Sequence, residues 1–409
     1  MTEEGFSRLD HCVCCDSVEL EEVLDLGSQP LANSYSKFIV SQEKFPLGVN
    51  VCLNCWHLQL FGSVNPDLLF RNYVYVSGTT KTLGKYFGDF INKIENVNSK
   101  EKKLNILEIA SNDGTLIEAF KARGHRVLGI DPALNLLQYS IPKNVITIPN
   151  YWNKEIAEHL KCFDLIVAMN VFAHTIGPKE FLINCQEVMN SDSTLIIQTS
   201  QAEMVELNQF DTIYHEHISF FNISSFLKII ENTNLKLVDI ERVPIHGTSW
   251  VWHLKLKSSQ EAISTNVQKF INQERDRLKL HDLSTYIEFR EKSKDVAQRV
   301  KELSDRYSKE GFALVGFGAA AKGNTFLNYI QLKLDYIVED NELKWGHYSP
   351  GMNIPIKSPE VLMNDSRNVV VIVPAWNFLE EITKSISNMG RISKTIIVSY
   401  FPEVKIIEL

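Results

Sequence analysis

The chain has 409 residues, of which 44% are hydrophobic and 22% are charged. This balance is typical of a folded globular protein, and the length predicts two or three domains. The formal net charge of −8 offers no basic surface for a polyanion, which argues against a nucleic-acid-binding protein. The first residues lack the features of a signal peptide, and no apolar run is long enough to span a bilayer. We therefore expect a cytoplasmic protein that does not enter a membrane.

Two cysteine pairs dominate the first region, which we delimit as residues 1–75. Each pair has the C-x2-C spacing, in which two thiolates flank a short turn. Two such pairs predict a closed, structural zinc site with four sulfur ligands. Cys14, His11 or His57 could replace one ligand, and free buried thiols are the alternative without a metal. The predicted ligands are Cys12, Cys15, Cys52 and Cys55.

Apolar strands alternate with helical patterns in the second region, residues 76–258. A periodic apolar pattern between Val76 and Lys100 predicts the leading helix. This alternation is typical of a mostly parallel, Rossmann-like sheet. The strands are predicted at Leu104–Ile109, Arg126–Ile130, Asp164–Ala168 and Ser193–Gln198.

The third region, residues 259–409, begins with a polar stretch between 260 and 310 whose apolar spacing predicts long connecting helices. A second strand and helix alternation follows, which predicts a second Rossmann-like domain. Its strands are predicted at Ala313–Gly318, Leu334–Val338, Val369–Val373 and Thr395–Val398.

A candidate cofactor site lies where the first predicted strand of the second region ends. The strand enters a polar turn that contains a glycine, and a helix is predicted from Thr115. At such a turn the backbone can approach a ligand, and Asp131 ends the next strand, where a carboxylate can accept two ribose hydroxyls. The turn lacks the G-x-G-x-x-G pattern, so S-adenosylmethionine (SAM) suits it better than a dinucleotide. A strand turn without a ligand is the alternative. The predicted cofactor contacts are Glu108, Ala110, Asn112, Asp113, Gly114 and Asp131.

The run from Tyr214 to His217 concentrates ionisable side chains that suit acid and base chemistry. A helix would place Tyr214 and His217 on one face, whereas a strand would place Tyr214 and Glu216 together. In either case a carboxylate is available to orient a histidine. A surface histidine cluster is the alternative.

A second glycine-containing turn lies in the third region, between Leu314 and Gly323. Its backbone N–H groups, together with Lys322, suit a diphosphate. A packing turn without a ligand is the alternative. Three residues that follow later strands could contact a nucleotide or a sugar, or belong to the core and its rim. They are Asp340, Trp376 and Asn377.

These motifs, in this order, resemble the sugar C-methyltransferase family along nearly the whole chain. The resemblance also rests on the runs V-L-D-L-G at 23–27, Q-P-L-A-N at 29–33 and N-V-F-A-H at 170–174, and on P-I-H-G at 244–247 and P-A-W-N at 374–377. It implies a zinc-binding module, a central SAM-dependent methyltransferase domain and a C-terminal Rossmann-like domain, with the substrate held in the cleft between the latter two.

The resemblance also implies roles for individual residues. His217 would be the general base, beside Tyr214, Glu216 and His174, and Asn170 would contact the cofactor. The runs at 77–80 and 246–250 depart from the family pattern, which affects the expected sugar pose more than the reaction. The resemblance implies substrate contacts at Tyr73, Tyr75 and Ser77. The other residues expected at the substrate are His246, Gly318, Lys322, Asp340, Trp376 and Asn377.

The expected reaction is methylation of carbon 3 of a 4-keto-6-deoxysugar linked to dTDP or GDP, which would make a branched sugar for a surface polysaccharide, an O-antigen or a natural product. Methylation of carbon 5 is the regiochemical alternative. The rival activities are O- or N-methylation of a small molecule and nucleotide-sugar oxidation or epimerisation. The rival without catalysis is a zinc-ribbon interaction protein with a decayed methyltransferase core. We expect no nucleic-acid partner and take a monomer as the working state.

Overall fold

The computed structural model describes residues 5–79, 81–97, 102–200, 204–245 and 247–409. The N-terminal region is built from short antiparallel strands, because turns and cysteine pairs interrupt its apolar runs. The two long strands pair with each other, and β1 pairs with β5. The elements are β1 (Phe6–Arg8), β2 (Leu20–Gln29), β3 (Phe45–Cys52), β4 (Leu58–Leu60), β5 (Gly62–Val64) and α1 (Pro66–Phe70).

The central region contains a seven-stranded sheet flanked by helices. Its elements are α2 (Lys81–Val97), β6 (Asn105–Ile109), α3 (Thr115–Ala122), β7 (Arg126–Ile130), α4 (Leu137–Ser140), β8 (Thr147–Ile148), α5 (Lys154–Glu158), β9 (Phe163–Met169), α6 (Pro178–Glu187), β10 (Met189–Ser200), β11 (Ser219–Phe220), α7 (Ile223–Glu231), β12 (Leu235–Val243) and β13 (Ser249–Leu256).

The order of this sheet is β12-β13-β10-β9-β6-β7-β8. Strands β8, β7, β6, β9 and β10 are parallel, and β13 runs antiparallel to its neighbours β10 and β12. The carboxyl ends of β6, β7 and β9 therefore meet at one edge, where a ligand can reach three strand-end turns at once.

The C-terminal region is a second, six-stranded sheet reached through helices. Its elements are α8 (Thr265–Asn272), α9 (Leu283–Lys309), β14 (Ala313–Phe317), α10 (Ala321–Tyr329), β15 (Tyr336–Val338), β16 (Ile356–Lys357), α11 (Pro359–Met363), β17 (Val369–Ile372), α12 (Leu379–Asn388), β18 (Thr395–Ser399) and β19 (Lys405–Glu408). The order is β16-β15-β14-β17-β18-β19, parallel except for β19. All four residues of β17 are buried, as expected for a strand covered on both faces.

The predicted fold class is confirmed: an α/β chain with an N-terminal cysteine cluster and two Rossmann-like sheets. The regions also share structure that sequence did not indicate. Strand β11 of the central region pairs with β4 and completes the four-stranded sheet of the N-terminal region. One hydrophobic core runs from β2 and β3 through α9 to β14 and β17. The boundaries at 75 and 258 stay predictions.

No helix in the described part of the chain combines the length and apolar character that crossing a bilayer requires.

Candidate active site

The four predicted zinc ligands converge at one point. The Cys12 and Cys55 sulfurs lie 3.5 Å apart, those of Cys15 and Cys52 lie 3.6 Å apart, and all four sulfurs lie within 4.8 Å of one another. A tetrahedral ion with Zn–S bonds of about 2.3 Å requires sulfurs about 3.8 Å apart. The cluster therefore has the spacing and the soft donor set that zinc accepts, and its four ligands leave no open position for catalysis.

The other residues considered as ligands have different contacts. The backbone N–H of Cys14 points at the Cys12 sulfur at 3.4 Å, which stabilises the turn. His57 Nε2 lies 3.2 Å from the Ser219 hydroxyl, and the exposed His11 contacts Asp10. Among the described residues, the metal-binding cluster is therefore formed by four cysteines.

The backbone of the cofactor turn has an unusual conformation. Ala110, Asn112 and Asn170 have φ angles of 59°, 51° and 57°, in the left-handed region that residues other than glycine rarely adopt. Such strain is concentrated at functional sites, where the surrounding structure stabilises it. All three residues follow the ends of β6 and β9 and line one cavity.

Asp131 is positioned by the turn after β7. Its two carboxylate oxygens accept the backbone N–H groups of Asn112 and Ala133, both at 2.8 Å. Burial raises its pKa, and the two backbone hydrogen bonds oppose this rise. Each oxygen keeps a second lone pair, and Asp131 lines the cavity, so the carboxylate can accept two ribose hydroxyls.

Glu108 is 3% exposed and also lines the cavity. Its Oε2 atom has no hydrogen-bond partner among the described residues. Burial raises its pKa well above the usual value, and the charges of Asp113 and Asp131 raise it further. A buried acceptor without a partner is costly, and the ammonium group of SAM would satisfy it. The residues present therefore fit this cofactor.

Asp113 and Gly114 shape the turn rather than line the cavity. The Asp113 carboxylate accepts hydrogen bonds from Lys143 Nζ and from the Thr115 hydroxyl, both at 2.7 Å. Gly114 caps α3 with a φ of 78°, and a Cβ atom there would lie 2.8 Å from Val145 Cγ2. Neither residue lines the cavity, and their cofactor contacts stay predictions.

A single cavity of about 620 Å³ connects the cofactor turns to the C-terminal region. Its walls come from the ends of β6, β7 and β9, from the segment before α2, from the turn around Tyr214, and from the start of α10. Predicted residues that line it are Glu108, Ala110, Asn112, Asp131, Asn170, Tyr73, Tyr75, Ser77, His174, Tyr214, His217 and Lys322.

One hydrogen bond distinguishes the two ring nitrogens of His217. Nδ1 lies 2.9 Å from the Thr212 carbonyl oxygen, which can only accept a hydrogen bond, so Nδ1 carries the proton and Nε2 keeps its lone pair in the neutral ring. The Tyr214 and His217 rings lie 4.1 Å apart because a turn, rather than a helix or a strand, brings residues three apart together. A candidate base thus faces the cavity.

The Glu216 carboxylate accepts hydrogen bonds from Asn33 and Tyr73 rather than from His217. Its Oε1 accepts a hydrogen bond from Asn33 Nδ2 at 2.6 Å, and its Oε2 accepts one from the Tyr73 hydroxyl at 3.0 Å. Burial raises its pKa to about 7, while the two hydrogen bonds act in the opposite direction. The expectation that Glu216 orients His217 therefore needs correction, because the Thr212 carbonyl holds Nδ1.

Two further groups can act as hydrogen-bond donors in the cavity. Burial lowers the pKa of His174 to about 4, so its imidazole is neutral near pH 7. Its ring lies 5.1 Å from the His217 ring and stacks on Phe70. Burial, followed by the charge of Glu216, raises the pKa of Tyr214 well above 10, so the phenol keeps its proton.

In the C-terminal region, Lys322 reaches the cavity from the first turn of α10. Its ammonium group lies 4.6 Å above the Trp376 ring, and burial lowers its pKa against the opposing charge of Asp211. The Trp376 indole N–H donates to Asp211 Oδ2 at 2.8 Å, so its polar atom is directed to Asp211.

Gly318 and Asp340, two of the remaining predicted substrate contacts, do not line the cavity. Gly318 has a φ of 97°, and a Cβ atom there would lie 2.8 Å from that of Ala375. Asp340 is exposed beyond the end of β15. Asn377 belongs to a short helix, Trp376–Phe378, and its side chain lies outside the described structure, as does the whole of His246.

Sequence reasoning missed several residues of the site. Asn33, Thr212 and Phe70 contact the predicted catalytic side chains, and Phe378 lines the cavity. Asn33 stands in the Q-P-L-A-N run that supported the family resemblance, which was the available signal for it. The other three carried no distinguishing pattern.

Models of known protein families match each of the three regions of the chain. Residues 81–240 match a "Methyltransferase domain", residues 12–70 match a "Putative zinc binding domain", and residues 244–402 match a "C-methyltransferase C-terminal domain". Together with the cofactor turns, these matches define a SAM-dependent methyltransferase with a zinc-binding module.

A curated relative matches nearly the whole chain. C-methyltransferase NovU of Streptomyces niveus is 28% identical over 386 residues, which cover 91% of each chain. The chain is therefore similar to a C-methyltransferase along nearly its whole length, which confirms the resemblance seen in its sequence.

Solved structures align with less than half of the chain. Magnesium protoporphyrin IX methyltransferase from Synechocystis PCC 6803, with bound SAM, covers 42% of this chain and 79% of its own at 10% identity and a TM-score of 0.34. A SAM-dependent methyltransferase from Clostridium acetobutylicum ATCC 824 covers 42% and 91% at 14% identity and a TM-score of 0.35.

Proposed function

We propose that this C-methyltransferase acts on a 4-keto-6-deoxysugar linked to a nucleoside diphosphate and that it methylates carbon 3 through an enolate. The product would be a branched deoxysugar of a surface polysaccharide, an O-antigen or a natural product. The observation that carries the proposal is the cavity that is lined by His217, by two further hydrogen-bond donors, by the cofactor turns and by Lys322.

Methylation of carbon requires a nucleophilic carbon. A sugar provides one most readily beside a carbonyl group, where loss of a proton gives an enolate. If that C–H group is about 12 pKa units less acidic than imidazolium, proton transfer to a histidine alone costs roughly 16 kcal/mol. Hydrogen-bond donors at the developing oxyanion must therefore supply much of the stabilisation, at about 3 to 4 kcal/mol for each well-placed donor.

The cavity residues divide these tasks. His217 accepts the proton from carbon 3 at Nε2, because its Nδ1 proton is held by the Thr212 carbonyl. Tyr214 keeps its phenolic proton and donates to the oxyanion that forms at carbon 4. His174, which is neutral near pH 7, is the second donor. After methyl transfer the protonated His217 releases its proton to solvent.

The C-terminal region recognises the nucleotide. The start of α10 has no side-chain cap, so its backbone N–H groups are available to a diphosphate, and Lys322 adds a positive charge. The aromatic side chains of Tyr73 and Tyr75, with Ser77, line the sugar part of the cavity. Asp340, Asn377 and His246 stay proposed substrate contacts.

The cofactor SAM supplies the electrophilic methyl group. Asp131 would accept its ribose hydroxyls and Glu108 its ammonium group, whereas the strained turns at Ala110, Asn112 and Asn170 would bring backbone groups close to it. The zinc site, whose four cysteines leave no open ligand position, has a structural role.

Isotopic labelling tests this function. The protein is incubated with SAM carrying a ¹³C methyl group and with dTDP- or GDP-linked 4-keto-6-deoxysugars, and NMR locates the label. Label on carbon 3 is expected, and label on oxygen, nitrogen or carbon 5 contradicts the proposal. Without SAM, the hydrogen on carbon 3 should exchange with deuterated water, and an enzyme that methylates oxygen or nitrogen would show no such exchange.

A further inference from the structure

The loop between β2 and β3, residues 30–44, extends from the N-terminal module into the catalytic region. The Tyr35 hydroxyl of this loop donates to the carbonyl of Ala319 at 2.7 Å, and Ser36 forms a bridge with Tyr348. The loop thus contacts the C-terminal region. In the other direction Asn33 contacts Glu216, 183 residues further along the chain.

We propose that Asn33 is a positioning residue for the reaction: its amide donates to Glu216 Oε1 and, together with the Tyr73 hydroxyl at Oε2, holds this carboxylate in its ionised form. The inference rests on the proposed function, because it gives the N-terminal module a direct part in the chemistry of the proposed active site.

Glu216, unlike Asp131, is not among the described residues that line the cavity, so its oxygens face protein donors. Glu216 is 3% exposed and each of its oxygens already accepts one hydrogen bond. A buried carboxylate that accepts two hydrogen bonds is stabilised in the charged form against the cost of desolvation. Asn33 is half-buried, and its amide contacts the buried Glu216 carboxylate.

The consequence for the cavity concerns Tyr73. While Glu216 is ionised, the Tyr73 hydroxyl donates its proton to Oε2, so the phenolic oxygen presents its lone pairs to the cavity that Tyr73 lines. Tyr73 then accepts a hydrogen bond from a sugar hydroxyl. If Glu216 is protonated, the carboxyl can donate to Tyr73 instead, and the phenol turns its proton towards the sugar. Asn33 therefore sets the direction of a substrate hydrogen bond.

The pKa of Glu216 is close to neutral pH, so the loss of a hydrogen bond would change the charge of this side chain at the pH of the assay. Burial raises its pKa to about 7 despite the two donors. The titratable groups whose pKa the charge of Glu216 raises are Tyr35 of the loop, Tyr73, and Tyr214 of its own turn. The pKa of each of the three tyrosines is raised above 10, so none becomes an anion near pH 7.

The test compares Asn33→Leu, which keeps the branched shape without a donor, with Asn33→Asp, which places a second carboxylate against Glu216. Ser34→Ala is the matched control, since the Ser34 hydroxyl donates to the Leu31 carbonyl on the same loop. The Glu216 carboxyl is titrated by infrared difference spectroscopy, and its band is identified as the one that Glu216→Gln removes. This measurement needs no substrate.

Asn33→Leu should raise the pKa of Glu216 by about one to two units, because a hydrogen bond to a charged group is lost. Asn33→Asp should raise it further, since two adjacent carboxylates share a proton. In turnover with a dTDP-linked 4-keto-6-deoxysugar, the acid limb of kcat against pH should move upward by the same amount, with the Kd for SAM unchanged. Ser34→Ala should match the unmodified protein throughout.

An unchanged titration of Glu216 in both Asn33 variants would overturn the inference. So would a shifted titration accompanied by an unshifted kcat profile, because Asn33 would then have no influence on the reaction. Failure of the unmodified protein to methylate any keto-sugar would instead refute the proposed function, and the infrared titration would still decide whether Asn33 controls Glu216.

Discussion

Replacement of His217 by asparagine tests the proposed base with little other change. The asparagine amide nitrogen can occupy the position of Nδ1 and donate to the Thr212 carbonyl, which lies 2.9 Å from Nδ1 in the structure. The variant therefore keeps the hydrogen bond that fixes the turn and loses Nε2. His217 is 6% exposed, so we do not expect a water molecule to act as the base in its place.

The expected effect is a loss of general-base catalysis. A positioned base contributes about 10²- to 10⁴-fold, which corresponds to roughly 3 to 5 kcal/mol in the activation barrier. The Kd for SAM should not change, because the cofactor residues lie at the ends of β6, β7 and β9. Both kcat and the rate of deuterium exchange at carbon 3, measured without SAM by NMR, should fall together.

His159→Asn is the matched control, because His159 is exposed and contacts only the carbonyl of Glu155 among the interactions described for its ring. It should exchange deuterium and turn over at the unmodified rate. If His217→Asn exchanged deuterium within about threefold of the unmodified protein, well inside the loss a base accounts for, another group would be the base. The assignment of His217 would then fail.

Four further changes test other parts of the site. Tyr214→Phe should lower kcat about 10²-fold by removing an oxyanion donor, in steady-state assays that also record an unchanged KM for SAM. Asp131→Asn should weaken SAM binding about tenfold by calorimetry, since the charged acceptor for the ribose is lost. Cys55→Ser should abolish retention of about one zinc ion per chain, measured by elemental analysis, and lower the Tm. Glu216 has a pKa of about 7 in the fold against 4.5 for the free side chain, so its own contribution to the free energy of unfolding should fall as pH rises through this window. Denaturant titrations at about pH 5 and about pH 8 should show that the unmodified protein loses stability relative to Glu216→Gln, since the opposite contribution of buried His174 is common to both proteins.

Local patterns in the sequence were sufficient to predict the helices and strands, the cysteine pairs and the cofactor turns. The strand at Arg126–Ile130 has the predicted bounds, and the strand predicted at Ser193–Gln198 is present but extends over Met189–Ser200. Buried strands carry continuous apolar runs, and the turns that follow them carry polar residues and glycine, so a short window of sequence contains the signal. The cysteine pairs belong to the same class, because their spacing encodes the ligand geometry.

Contacts between distant parts of the chain were decided only by the tertiary structure. Asn33 and Glu216 are 183 residues apart, and Trp376 and Asp211 are 165 apart. Composition and periodicity give no information on which polar groups will meet, since the partner is chosen by how whole sheets and helices pack. The same reason explains why Trp376, expected at the substrate, has its indole N–H on Asp211.

The sequence by itself therefore determined the order of the three regions, the four cysteine ligands, the cofactor turns and the short run that supplies Tyr214 and His217. Only the tertiary structure decided which nitrogen of His217 contacts the Thr212 carbonyl, which groups hold Glu216, and that one loop of the N-terminal module reaches the active site. The physical reason is that strand propensity and metal-ligand spacing are encoded in neighbouring residues, whereas hydrogen-bond partners and pKa values depend on burial and on groups brought together by folding.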